Sequence, residues 1–199
     1  MLVTANPLVL KLLLVFAHLL GTSLALGAIM TADIRLLRRL AGGCTRIAAP
    51  QAFLKSMITA AFLVLCATGG ALIVLGLQSD PTYLSGNPKL QAKLMLVAAL
   101  AANALVLHYS TFPAIARSPC VVQWKFVDFT RIVLPVALSN SLWMYCAFLG
   151  IARAWNQTIT LGFVLGCAAW LFAAMLTGIT AVLLVAARAC NAPPIARAL

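Results

Sequence analysis

Apolar residues run through this chain in five long blocks, at residues 8–32, 53–77, 90–110, 132–151 and 159–187, separated by short polar interruptions. Each block is long enough for a helix to cross a hydrocarbon core about 30 Å thick, which takes about 20 residues. In lipid every backbone N–H and C=O has to be paired within the protein, so the blocks predict α-helices. The expected fold is all-α: one domain over residues 1–199, an integral membrane bundle of five transmembrane helices. The connection 33–51 starts as a helical continuation carrying Arg35, Arg38 and Arg39, then breaks at Gly42-Gly43 and Pro50. The connection 78–88 is turn-rich, with Asp80-Pro81 and Ser85-Gly86-Asn87-Pro88. The stretch 113–131 mixes Trp124, Phe126 and Phe129 with Lys125 and Asp128, as in a segment lying among lipid headgroups.

Composition agrees: 64% of residues are hydrophobic and 9% charged, with mean hydropathy +1.06. The net charge of +11 is distributed like a topology signal. Arg35, Arg38, Arg39, Arg46, Lys55, Arg117, Lys125, Arg131, Arg188 and Arg197, ten of the 14 basic residues, share one side. The positive-inside rule makes that side cytoplasmic, with the N-terminus outside and the C-terminus inside a bacterial cytoplasmic (inner) membrane, crossed in several passes. The basic face then meets an anionic cytoplasmic leaflet, and nucleic acid is not an expected partner. The first block reads as a retained span and not a cleaved signal. No Lys or Arg precedes Lys11, and an Arg-rich segment follows where a cleavage site would fall.

There is no glutamate, and Asp33, Asp80 and Asp128 lie at or beyond the ends of the blocks. Proton relays usually run through intramembrane Asp, Glu or His, so that class is disfavoured. Of six cysteines, Cys66, Cys146 and Cys167 fall in spans and Cys44, Cys120 and Cys190 on the cytoplasmic side, an arrangement that predicts no structural disulfide.

The chemistry concentrates on the two histidines, His18 and His108, each inside an apolar block. A buried imidazole is costly unless it meets a metal, a cofactor or a polar partner. At roughly 100° per residue, Lys11 lies about 20° from His18, and Lys93 about 60° from His108. Small residues share those faces: Gly21, Thr22 and Ala25, then Ala101 and Ala104. Haem b suits two imidazoles on neighbouring parallel spans, with His18 and His108 on the metal and Lys11 and Lys93 at the propionates. The bland alternative is hydrogen bonding to Asn103, Asn140, Ser139, Ser141 or a backbone carbonyl. Counted from Arg35 and Arg117, the two rings differ in depth by roughly 12 Å at 1.5 Å per residue, an offset that favours separate sites unless the helices tilt.

The string Lys11-Leu-Leu-Leu-Val15 is echoed by Lys93-Leu-Met-Leu-Val97, each followed by one histidine, which hints at two equivalent half-units. Lys11, His18, Gly21 and Arg35 in the first span, with Lys93, Asn103 and His108 in the third, resemble small bacterial inner-membrane proteins of the HemJ-type and copper-resistance-D-like group. Thr22-Ser23-Leu24 stands where a Trp-Gly pair follows the histidine in that group. The resemblance covers these two spans and implies a bundle of four to eight helices, with His18 and His108 as haem ligands. It also implies a link to protoporphyrinogen oxidation.

Two further features bear on packing. Gly162 and Gly166 form G-x-x-x-G, which permits close approach within the monomer or in a homodimer. Ser139-Asn140-Ser141 follows Pro135, whose freed backbone carbonyls such side chains can satisfy. The leading expectation is a membrane b-type haem protein, a haem-dependent oxidoreductase if it is an enzyme, passing electrons between quinone or porphyrinogen and a partner. The alternative is a non-catalytic membrane component, either a small permease or an assembly subunit of a larger membrane complex.

Overall fold

The structure is a computed structural model that describes residues 7–42 and 46–191, with side chains to residue 189. Five helical runs are long and apolar enough to cross a membrane, and no strand occurs among the described residues. Helix α1 spans Pro7–Ala41 and α2 spans Ala52–Ser79. Helix α3, Pro88–Val106, continues through a π turn at Leu107–Thr111 into α4, Phe112–Arg117. The last two are α5, Phe126–Ile151, and α6, Leu161–Asn191.

The helices extend past the apolar blocks because nothing stops them at the block edges. Helix α1 runs on through the arginines, and at 35 residues it is about 52 Å long, well beyond the hydrocarbon thickness. The stretch 113–131 is mostly helical too. Only 118–125 forms a connection, pinned by a hydrogen bond from Trp124 Nε1 to the Ser118 carbonyl at 2.7 Å. At the opposite end, the α2–α3 turn is held by Asp80, which accepts from the Thr82 amide at 2.8 Å and hydroxyl at 2.7 Å. Those two bonds hold the Asp80 carboxyl below its ordinary range. Asn87 caps α3 by accepting from the Leu90 amide, and Pro88 fits the first helical position, where an N–H is not needed.

Helix α5 is the centre of the bundle. Half of its most apolar window is buried, against 6–22% for the other spans. One buried cluster joins Ala25, Ala92, Leu142, Trp143, Leu149 and Val164, contributed by α1, α3, α5 and α6. A second, at the basic end, contains Leu40, Ile47, Ile115, Val121, Val133 and Leu183.

Both helix-interior prolines leave a visible trace. Pro135 has no N–H, so the Arg131 carbonyl one turn back loses its partner. Thr111 supplies one, donating its hydroxyl at 3.0 Å, and buried Asn103 donates to the Pro135 carbonyl at 2.9 Å. The partners therefore come from α3 and its π turn, and not from Ser139-Asn140-Ser141 as the sequence suggested. Pro113 cannot donate to the Tyr109 carbonyl, and the helix widens so that the Phe112 amide bonds Leu107 instead.

The expectation that all carboxylates stay at span ends is corrected by Asp33. Its Oδ2 accepts from Asn140 Nδ2 at 2.9 Å, and Asn140 is the fifteenth of the 26 residues of α5. Because α1 overshoots the apolar block, its Asp33 reaches a mid-span partner. Cys66, Cys146 and Cys167 are free thiols, while Cys44 and Arg197 lie outside the described residues, as does the side chain of Cys190.

Candidate functional site

A cavity of about 70 Å³ lies inside the bundle, where four of the spanning helices meet. Helix α1 contributes His18 and Thr22; α2 contributes Phe62, Leu65 and Cys66; α3 contributes Lys93, Val97 and Leu100; α5 contributes Trp143, Cys146 and Ala147. The walls are apolar and aromatic, the Phe62 and Trp143 rings meeting edge to face at 6.0 Å. Two nitrogenous side chains, His18 and Lys93, are the basic groups in the lining, and no carboxylate is among the described lining residues.

Small residues let the helices approach around His18. A Cβ on Gly21 would sit 3.4 Å from Leu65, and one on Gly69 would sit 3.4 Å from His18 Cε1. His18 Nδ1 lies 2.9 Å from Thr68 Oγ1. That hydroxyl spends its proton on the Val64 carbonyl at 2.7 Å, so the imidazole is the donor. The ring is therefore held as the Nδ1–H tautomer, and Nε2 keeps its lone pair. Among the described residues no group donates to Nε2.

Lys93 has the opposite need. Its Nζ lies beside Gly150 of α5, where an added Cβ would come within 3.8 Å of it. Among the described residues the ammonium has neither a hydrogen-bond acceptor nor a carboxylate partner, and Lys93 is half-buried, its Nζ keeping some accessible surface. One turn closer to the α2–α3 end, Lys89 is satisfied, donating to the Ala152 carbonyl at the end of α5 at 3.0 Å. An ammonium facing apolar walls without a partner is costly, and an acceptor or anion entering the cavity relieves that cost.

The predicted site residues divide. His18 and Lys93 come together in the cavity. Lys11 is exposed near the start of α1 and does not line it. His108 is exposed within the π turn, its ring flanked by Tyr109 at 6.4 Å and by Phe112 at 5.8 Å. Lys55 Nζ lies 5.4 Å from the centre of the same Phe112 ring. The two imidazoles thus face different surroundings, and His108 is not among the residues that line the cavity beside His18. The cavity beside His18 is also well below the roughly 300–1,000 Å³ of small-molecule sites. Among the described residues no group of three or more His, Cys, Asp or Glu side chains is placed to hold a metal ion.

Residue-by-residue reading missed Thr68, Trp143, Cys146 and the Asp33–Asn140 pair. Thr68 carried a signal, a hydroxyl followed by Gly69-Gly70 in an otherwise apolar span. No family model matches the chain, and no curated protein or solved structure is significantly similar to it. The likeness to HemJ-type and copper-resistance-D-like proteins rests on the quoted residues alone.

Proposed function

We propose that this chain is a small permease of a bacterial cytoplasmic membrane, with its N-terminus outside and C-terminus inside, that passes a small weak acid through the His18–Lys93 cavity. One observation carries this reading: a lone-pair acceptor and an unpartnered ammonium share an intramembrane cavity that has no carboxylate among its described lining residues. The complementary ligand brings an acceptor oxygen for Lys93 and a proton for His18 Nε2. A short carboxylic acid offers both. The cavity volume suits it, since a water molecule takes up about 30 Å³ of liquid and the space is roughly twice that. The acid enters in its protonated form, with its carbonyl oxygen accepting from Lys93 and its O–H donating to His18 Nε2, and the apolar walls exclude larger hydrated ions.

The test is uptake of labelled formate into proteoliposomes. Wild type should exceed empty vesicles, Lys93→Met should lower the rate about tenfold or more, the size expected for an uncompensated charge interaction of at least about 1.4 kcal/mol, and Lys93→Arg should keep part of it. Uptake no faster than in empty vesicles, or unchanged in Lys93→Met, defeats the proposal.

A b haem on His18 alone is the second reading, favoured by one observation. Nδ1 is anchored by Thr68 in the way that metal-bound imidazoles are held by an outer partner. The helices would have to part around the cavity to admit a porphyrin. An absorption spectrum of the purified protein separates the two: a Soret band lost in His18→Ala and kept in His108→Ala supports haem, and a colourless protein supports the permease.

A further inference from the structure

The chain has three carboxylic side chains, and they stand in different surroundings. Asp80 closes a turn, and Asp128 accepts from the Lys125 amide at the start of α5. Asp33 alone meets a mid-span residue of another helix. We infer that the Asp33–Asn140 pair is a proton-binding site, in which the second carboxylate oxygen of Asp33 takes up and releases a proton between α1 and α5. The pair lies outside the lining of the His18–Lys93 cavity, and the inference stands apart from the permeation reading.

The sequence of α1 keeps its own arginines away from Asp33. One turn to either side stand Ile29, Met30, Leu36 and Leu37, so Arg35, Arg38 and Arg39 leave the helix from other faces. Across from Asp33, Asn140 sits on α5 beside buried Ala137 and Ser141. Its amide donates to Oδ2 at 2.9 Å and carries no charge. Oδ1 has no partner among the described residues. No buried side-chain oxygen is left unpaired among them either, so Oδ1 keeps accessible surface through which a proton can arrive.

No cation offsets the charge. Helices α2, α5 and α6 pack on α1. Helix α2 brings Lys55 to the level of Asp33, but its ammonium lies 5.4 Å from the centre of the Phe112 ring. On α5, Arg131 is exposed, Tyr145 donates to the Val164 carbonyl at 2.8 Å and Cys146 lines the cavity. On α6 the groups are Cys167 and exposed Arg188. Among the described residues none of these pairs with Asp33. A carboxylate in apolar surroundings is neutralised by a cation or by a proton, and here the proton is the counter-charge that remains. A metal cation fits poorly, because it takes several oxygen ligands. A carboxylate can only accept, so Asn140 turns its amino group and not its oxygen toward the pair. The Ser141 hydroxyl is spent on the Leu138 carbonyl at 2.9 Å.

The experiment is infrared difference spectroscopy of the full chain in lipid vesicles, with the pH stepped from about 8 to about 6 and no acid substrate present. At about pH 6 an ordinary aspartate is only about 1% protonated, so a protonated-carboxyl band there marks a site of this kind. Wild type should show the band reversibly. Asp33→Asn, which keeps the shape, should lose it, while Asp80→Asn and Asp128→Asn should keep it. Asn140→Leu removes the donor that favours the charged form and should move the midpoint of the band up by about one pH unit or more, the size of a hydrogen bond to a charged group. No band in wild type, a band kept in Asp33→Asn, or a midpoint unmoved in Asn140→Leu overturns the inference. Suppression of the band by sodium at constant pH, with choline as the replacement ion, also overturns it, since the pair would then be a metal-cation site.

Discussion

At the scale of single residues, the cavity depends on a hydroxyl that orients an imidazole. Thr68 accepts from His18 Nδ1 while donating to its own helix, and it is 8% exposed. Thr68→Val keeps the shape and removes the acceptor, leaving a half-buried N–H unpaired, which costs about 1–3 kcal/mol. We expect a lower thermal midpoint in detergent and formate uptake reduced several-fold, with Thr68→Ser restoring both. A Thr68→Val protein as stable and active as wild type would mean that the ring is held by packing alone. The sequence singled out His18 and Lys93 because charged or titratable groups inside apolar blocks stand out. It did not show Thr68 as the partner, nor Asn140 as the partner of Asp33. Those pairs join α2 to α1 and α5 to α1, and interhelical pairing depends on rotation and vertical offset that one strand of sequence does not carry.

At the scale of helices, the displaced His108 has a local cause. Projection at a constant angle placed Lys93 and His108 near one face, but the π turn at Leu107–Thr111 breaks that regularity one position before the histidine. Pro113 was present in the sequence, and the widening that it forces was the unread signal. Glycine positions carry the other lesson of this scale. Gly21 brings α1 against α2, with Leu65 3.4 Å from its absent Cβ, whereas a Cβ on Gly27 in the same helix would meet nothing within 4 Å. We expect Gly21→Leu to lower unfolding stability by about 1–3 kcal/mol through overpacking and Gly27→Leu to stay within about 0.5 kcal/mol of wild type. Denaturation in mixed micelles measures both, and equal effects would show that α1 and α2 do not meet at Gly21. Gly162 and Gly166 resemble Gly27, with nothing within 4 Å of an added Cβ. Among the described residues, then, no close helix approach is made at the G-x-x-x-G stretch inside the monomer.

At the scale of the whole molecule, the five spans were legible because hydropathy alone sets them, and each observed helix contains or nearly contains its apolar block. Orientation rests on charge, and the structure sharpens the asymmetry. Four basic residues belong to the end opposite the ten: Lys11, Lys89, Lys93 and Arg153. Lys89 is 9% exposed and bonded to Ala152, and Lys93 lines the cavity, so among the described basic residues of that end Lys11 and Arg153 are the exposed ones. Inserted charges that point into the bundle do not face a lipid surface, so the contrast acting on the surrounding leaflets exceeds the raw count. Single cysteines report the result. Ser85, exposed in the α2–α3 turn, should as Ser85→Cys gain labelling by a membrane-impermeant maleimide in intact cells. Arg117→Cys, exposed at the end of α4, should gain it only after permeabilisation. The reverse pattern would turn the bundle over. Labelling of both in intact cells would show that α3 does not cross the membrane, and the cavity between α1, α2, α3 and α5 would then lose its place in a permeation path.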